Sequence, residues 1–378
     1  MNNKAFFEKM KNIQIAISKY IDTIDDDDEY DNEEKAKEEL INFFIRERIL
    51  NDSFIMKYML KIISSITKNH CRKDNFLHKI RSIFQYIKSY IKLTNYEIFD
   101  IFKKQKIILL LLIEEKIITI DQMISDIITK GKYIKYKYPE YFYPEIKEFL
   151  NEEMIQSIKK ENLPENYEEL RRIGENDQEI CKLIREDLID EFVPYISRNN
   201  YNMLSKIDES IFETNSLLIK KEPTLIEYAA FFGSIQIFKY LHSKNVPLTN
   251  SCLIYGIHSF NFDIINYIES EFNGSLDGIC DQCLEESIKC HHNEIANYFL
   301  FNFINEDSMS FDKNKNSYGF HYCIYIYFPD DLNHQFVFFY ACKYDYINIV
   351  ENFLKNESFD INAKITSYNS EIHIFFFI

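Results

Sequence analysis

At 378 residues the chain is long enough for two or three ordinary domains or for one long array. Seven glycines and seven prolines, against 33 phenylalanines and 27 tyrosines, are too few turn residues for a sandwich, a barrel or a glycine-lined nucleotide fold, so an all-α chain is expected. A net charge of −16 sets the chain as a whole against polyanions, and nucleic acid is not an expected partner.

Residues 1–24 read as a helix with Phe6, Met10, Ile13, Ile17 and Ile21 on one face. The run Asp25–Glu29, with Asp31, Glu33 and Glu34, predicts a solvated acidic loop over 25–34. A helical domain is expected over 35–176. Leu77, Ile80, Ile83, Phe84, Ile87 and Ile91 form a helical stripe, and a further helix runs through Ile98 and Phe102 to Ile113. The apolar run Ile107–Ile113 is far shorter than the ~20 residues needed to cross a bilayer, so no transmembrane segment is expected. Lys130–Pro144 contains two prolines and reads as an extended connector. Its Lys130, Lys132, Lys135 and Lys137, interleaved with Tyr133, Tyr136, Tyr138 and Tyr141, superficially suit single-stranded nucleic acid. In so acidic a chain they are expected to be a packed connector with solvated lysines. Helices are expected to resume over Pro144–Lys160, with Pro144 suited to a first helical turn.

Residues 177–222 read as a degenerate repeat and a connector, with Phe192, Tyr195 and Ile196 matching Ile237, Tyr240 and Leu241. Clear repeats follow over 223–302. Leu225–Leu241, Cys252–Ile268 and Cys283–Phe299 align without gaps. The alignment puts Ile237, Ile264 and Ile295 in register, likewise Tyr240, Tyr267 and Tyr298, with small residues at Ala229, Gly256 and Ser287. Residues 303–335 are an insertion whose aromatic run Tyr318–Phe328 is read as a short extended packing segment. A fourth copy, Val337–Phe353, places Ala341 and Ile349 in register, and 336–378 is taken as the final repeat and a truncated unit. One helix pair cannot cover its own apolar face, whereas stacked pairs share one core. Gly233 is placed for a left-handed turn. Phe260, His291 and Asp345 hold that slot elsewhere, so either those turns are built differently or the register is offset by one there.

Thr224–Leu241 resembles the ankyrin repeat, whose core reads T-P-L-H-x-A-A-x-x-G-x-x-E-I-V-x-x-L, and Asp360–Lys364 is similar to its D-V-N-A-K linker. The phrases Ser210–Ser216, Glu227–Phe238 and Glu286–Asn293 resemble the divergent ankyrin-repeat proteins of large protist families, which carry an associated domain of unknown function. Leu225 stands where the ankyrin proline would be, and Glu227 where its histidine fixes the turn. The resemblance implies an α-solenoid of helix-turn-helix repeats preceded by a helical region. It also implies a non-catalytic scaffold that binds another protein on a concave face. Carried over by position, that face consists of Phe231 and Phe232, His258 and Ser259, Lys289 and Cys290, and Lys343 and Tyr344. The loop tips are Ser243, Lys244 and Asn245, and Asn273 and Gly274. The chain ends at Ile372–Ile378, inside what would be the next first helix.

Cys280, Cys283, Cys290, His291 and His292 are ligand types suited to zinc, but C-x2-C-x6-C-H-H is not a usual zinc spacing. The expected reading is core thiols with no cofactor; a zinc-stabilised module is the alternative. His70-Cys71 and His321-Tyr322-Cys323 lack partners at metal spacing. No nucleophile elbow, phosphate-cradling glycine loop or H-E-x-x-H motif occurs, so no enzyme is expected. An unrecognised enzyme would require a polar pocket between the helical region and the repeats. Eight scattered cysteines and an amino terminus without an apolar leader point to a cytoplasmic protein.

Overall fold

The computed structural model describes residues 3–23, 31–69, 72, 75–159, 163–271, 279–303, 317–328, 335–344, 346–354, 365–367 and 370–372. The fold is all-α. The one sheet among the described residues is a hairpin of Ile365–Ser367 with Ser370–Ile372.

The amino-terminal region comprises α1 (Asn3–Ile21), α2 (Asp31–Arg46), α3 (Ser53–Asn69), α4 (Phe76–Ile87), α5 (Asn95–Phe102), α6 (Lys106–Glu114) and α7 (Gln122–Ile128). Apolar stripes drive their packing. Met10, Ile13 and Ile17 of α1, Met59, Ile62 and Ile66 of α3, and Ile80, Phe84 and Ile87 of α4 are buried completely. In α6 the apolar run is buried from Ile107 to Leu112, on every side of the helix, as its lack of a polar face requires. A capping box of Thr94 and Glu97 starts α5. Helix α2 begins at Asp31, so Asp31, Glu33 and Glu34 form its first turn and not the loop expected over 25–34. Negative charge is favoured there by the helix dipole. Asp25–Glu29 and His70-Cys71 lie outside the described residues.

The Lys130–Pro144 connector is helical, not extended. It forms α8 (Lys132–Lys135), α9 (Tyr138–Tyr141) and α10 (Tyr143–Ile146). Pro139 and Pro144 sit in first turns, where a missing N–H costs no helical hydrogen bond. Helices resume at Pro144 as expected: α10 is followed by a 3-10 turn over Lys147–Phe149, then by α11 (Glu152–Lys159) and α12 (Tyr167–Ile173). The buried Arg171 of α12 grips the Glu145 carboxylate of α10 with two hydrogen bonds, at 2.7 and 2.9 Å.

Helix pairs follow: α13 (Glu179–Arg185) with α14 (Ile189–Arg198), then, after α15 (Ser216–Lys221), α16 (Leu225–Phe232) with α17 (Ile235–Ser243), α18 (Asn250–Ser259) with α19 (Phe262–Glu271), and α20 (Cys280–Lys289) with α21 (Asn293–Phe303). The first helices α13, α16, α18 and α20 touch one another in that order. Ile237, Ile264 and Ile295 are completely buried. The in-register tyrosines are half-buried, each reaching back one unit. Tyr240 meets Phe192 edge-on at 6.3 Å, the Tyr267 hydroxyl lies 3.0 Å from His242 Nδ1, and Tyr298 donates to Glu269 at 2.7 Å.

The turns inside these pairs share one geometry, contrary to expectation. Gly233 (φ 77°), Phe260 (φ 50°) and His291 (φ 63°) are all left-handed, as is Asp187 (φ 51°) in the first pair. Each non-glycine there costs roughly 1–2 kcal/mol, which packing must offset. Phe260 stacks on His292 at 4.6 Å, and the Asp187 carboxylate accepts from the first N–H groups of α17, Gln236 at 3.0 Å and Ile237 at 2.9 Å. The Phe192 N–H bonds Leu188 O as the Phe238 N–H bonds Ser234 O. Phe192 is therefore the counterpart of Phe238, one residue away from the match with Ile237 read from sequence. Glu227 fixes its turn without the ankyrin histidine: it accepts from the Thr224 N–H at 2.8 Å and hydroxyl at 2.9 Å, and from the Ser251 hydroxyl of the next unit.

The carboxy-terminal part departs furthest from expectation. Residues 317–322 form α22, and Tyr325–Tyr327 a 3-10 turn, so the aromatic run is helical. Helices α23 (Gln335–Lys343) and α24 (Ile347–Leu354) do form a pair. Its buried Val337, Phe338, Ala341, Tyr346 and Phe353 join the core of α1–α10 instead of extending the core of α13–α21. The divisions expected at 1–24, 35–176 and 336–378 thus share one core. Phe320 and Tyr325 belong to it, whereas Ile324 and Tyr327 enter the repeat core, so the segment stitches the two. Ile372 lies in the hairpin and not in a helix; Asn273, Gly274, Asp345, Asp360–Lys364 and 373–378 lie outside the described residues. No described helix is long and apolar enough to cross a membrane, and none of the seven described cysteines is in a disulfide.

Candidate functional site

The carboxy-terminal ends of α13, α16 and α18 face the helical region that precedes them, and a cleft of about 660 Å³ opens at this junction. Arg185, Phe231, Phe232 and His258 form one side. By the shared left-handed turn, Arg185, Phe231 and His258 occupy the same position in three successive units, two residues before Asp187, Gly233 and Phe260. Leu170 and Ile173 of α12 also line it, with Ile173 46% exposed.

Arg185 organises the polar part. It pairs with Glu175 at 2.7 Å, donates to Asn176 O at 2.7 Å and to the Tyr228 hydroxyl at 3.0 Å, and lies 5.9 Å over the Phe232 ring. Burial pushes the Glu175 carboxyl up despite the pull of Arg185. Burial also pushes up Glu213, opposed by the Asn215 N–H bound to it at 2.7 Å. Raised carboxyls in a cleft are a known mark of functional sites. However, no serine, threonine or cysteine lines this cleft, so a hydroxyl or thiol nucleophile is absent from its wall among the described residues.

Behind the cleft, His258 lies between two groups. Its ring stacks on Phe231 at 5.0 Å, its Nε2 is 2.6 Å from Glu286 Oε1, and its Nδ1 is 3.4 Å from Cys290 Sγ. Lys289 donates to both Glu286 oxygens, at 3.0 and 2.8 Å. A thiol, imidazole and carboxylate in a row can activate sulfur, but Cys290 is completely buried and no substrate reaches it. His258, Glu286 and Cys290 also have ligand atoms within 4.8 Å of one another. Lys289 already holds Glu286, so the cluster is complete as a hydrogen-bonded core network. Treatment with EDTA is expected to leave the melting temperature unchanged; a fall of several degrees would make a metal structural.

Of the eight residues expected on the concave face, Phe231 and Phe232 are half-buried and line the cleft. His258 reaches it with only 2% exposure. Ser259 and Cys290 are completely buried, which corrects the expectation that they contact a partner: Ser259 turns inward at the end of α18 and Cys290 immediately after α20. Lys289 is half-buried on Glu286 and over the Tyr322 ring. Lys343 and Tyr344 lie elsewhere, with Tyr344 stacked on His321 at 4.9 Å. The proposed zinc set does not converge: among the described residues, Cys290 is the one member found in a three-ligand cluster, with His258 and Glu286 in place of Cys280, Cys283, His291 and His292. Cys252 and Cys283 are core thiols, pushed up by burial. Sequence reasoning missed Arg185. Its slot was hidden by the one-residue slip in the degenerate repeat; matching Asp187 to Gly233 reveals it.

Comparison of the chain with protein-family models, curated proteins and solved structures finds no match.

Proposed function

We propose that the chain is a non-catalytic scaffold: residues 177–302 form an ankyrin-like stack that holds a segment of another protein in the cleft facing α12. The observation that carries this reading is the convergence of equivalent positions from three units, Arg185, Phe231 and His258, on one wall. Repetition of one slot along a row of helix pairs is how stacked repeats build a binding surface. Half-buried aromatic rings beside an arginine are the residue types that carry binding energy at protein interfaces. Ile173 supplies a second apolar contact, and the flanking Glu169, Asp177, Lys182 and Glu186 supply a polar rim. A cytoplasmic setting, where thiols stay reduced, suits the buried cysteines of such a stack.

Replacing Phe231 by Ser and Phe232 by Ala tests the proposal. Affinity capture of partners from the native cell should weaken by about thirtyfold or more, as for loss of an aromatic hot spot, and far-ultraviolet circular dichroism should be unchanged. Undiminished capture by the folded variant, or a large loss of helicity, would count against the proposal, the latter because it would make both rings core.

A further inference from the structure

A second cavity, of about 250 Å³, lies between the amino-terminal helices and the segment that leads into the repeats. Five lysines line it: Lys68 from the last turn of α3, Lys104 from the α5–α6 turn, Lys106 from α6, Lys132 from α8 and Lys220 from α15. No carboxylate lines it. In a chain with 60 acidic and 44 basic residues, five converging lysines without an acid run against composition.

Lys106 serves the fold. Its ammonium donates to Ile211 O and Glu213 O, both at 3.0 Å, and sits over the Tyr138 and Tyr141 rings. The other four have no carboxylate partner among the described residues. They also act on one another. Lys68 is pushed down to about 8, first by burial and then by Lys104, Lys220 and Lys289, with Glu286 opposing the shift. Lys220 is lowered by burial and by Lys289, Lys104 and Lys132. Like charges brought together raise the free energy of the empty site, and an anion removes that cost.

We propose that this cavity binds a compact, multiply phosphorylated small molecule through Lys68, Lys104, Lys132 and Lys220. Several ammonium groups call for several negative charges on one ligand. Lysines bind phosphate as point charges that adapt to clustered anionic oxygens, without the fixed planar fork through which arginine grips a single carboxylate or phosphate. The volume falls just below the ~300–1,000 Å³ of pockets for drug-sized ligands, which points to a compact anion. Of the alternating Lys–Tyr pattern of 130–141, Lys132, Tyr133, Tyr136 and Tyr138 line this cavity. Tyr133 and Tyr138 are buried wall, packed edge to face at 5.0 Å, so they do not form a stacking track for bases.

Titration calorimetry of the full chain with tripolyphosphate and with inositol hexakisphosphate tests the site. One molecule should bind per chain, inorganic monophosphate should bind at least about a hundredfold more weakly, and affinity should fall steeply with salt. The Lys68→Gln, Lys220→Gln double variant should lose at least about tenfold in affinity, while Lys35→Gln with Lys37→Gln, on α2, should lose little. Without ligand, the first variant should melt no lower than the parent, because repulsion has been removed; a lower melting temperature contradicts the repulsion on which the site rests. Vesicles containing phosphatidylinositol bisphosphate separate the sources: binding to them alone assigns the phosphates to a lipid headgroup. Absence of binding to the soluble anions and the vesicles, equal affinity in the double variant, or stoichiometric binding of a short single-stranded oligonucleotide in place of the small anion overturns the proposal.

Discussion

Substituting Ile13 by Asp should unfold both ends of the chain together while leaving the helix pairs between them folded. Ile13 is completely buried on α1, and α1 packs on α2, α3, α4, α24 and the Tyr325–Tyr327 turn. Beside it, the buried Gln14 donates to Cys323 O at 3.3 Å and accepts from the Tyr325 N–H at 2.8 Å. Phe7 packs against Phe328 at 5.1 Å. One helix therefore joins the two termini. A carboxyl group at position 13 has no partner supplied and loses the buried isoleucine as well, a combination that costs more than about 4 kcal/mol. That is a large part of the ~5–15 kcal/mol that holds an ordinary domain. The repeat core is a distinct cluster that lies mostly between Ile180 and Leu300 and takes only Ile324 and Tyr327 from the segment joining it to the other core. Limited proteolysis read by mass spectrometry should show cleavage in 3–69 and 317–354 at one protease dose and protection of 179–300. Continued protection of 317–354 in the variant would show that α1 is dispensable there. Gln14→Ala should give a milder version, about 1–3 kcal/mol, from the two backbone groups left unpaired.

That carboxy-terminal closure was not legible in the sequence, and the reason is physical. A helix pair with an apolar face specifies that it must be covered, not by what. Val337, Ala341 and Phe353 fit the spacing of the earlier units, yet the core they join is that of the amino-terminal helices, and α24 packs on α1, more than 300 residues away along the chain. By contrast, Ile237, Ile264 and Ile295 were readable as core because helical spacing and local turns decide which face is buried. The shared left-handed turn was misjudged at Phe260 and His291 because intrinsic preference disfavours it there; Asp187 shows that an interaction made after the turn, its carboxylate on α17, can hold the geometry. Pro144 is legible as a first-turn residue, whereas Pro139 reads as part of an extended connector because a proline in a first turn and one in a loop look alike in sequence. Of the candidate site, the aromatic wall of Phe231 and Phe232 was legible from repeat position. The part lined by Leu170 and Ile173 was not, since no local pattern says which distant helix will face a repeat.

Replacing Glu286 by Gln should cost about 3 kcal/mol at neutral pH and flatten the acid limb of the stability curve. Glu286 is 8% exposed and accepts from His258 and Lys289. Burial alone would push its carboxyl up. The hydrogen bond and charge of His258, then the charge of Lys289, outweigh burial and bring it down to about 2. A carboxyl whose folded value lies below its ordinary 4.5 contributes stability that is fully present above 4.5 and is lost as pH falls through about 2. At about 1.4 kcal/mol per unit, the difference is on the order of 3 kcal/mol. Urea melts at pH 7, 4 and 2.5 should show the parent losing stability towards the low end, and the Gln variant starting lower and falling less. The neutral amide still offers His258 an acceptor, so the loss belongs to the charge, and Lys289 is left half-buried without it. His258 is also the ring on which Phe231 stacks, so loosening this network should reach the cleft. Iodoacetamide gives an independent measure: Cys290, completely buried beside His258, should be inert in the native parent and become alkylated sooner in the variant. Equal alkylation rates together with equal melts at pH 7 would mean that the buried charge network contributes nothing to closing the junction between α18 and α20.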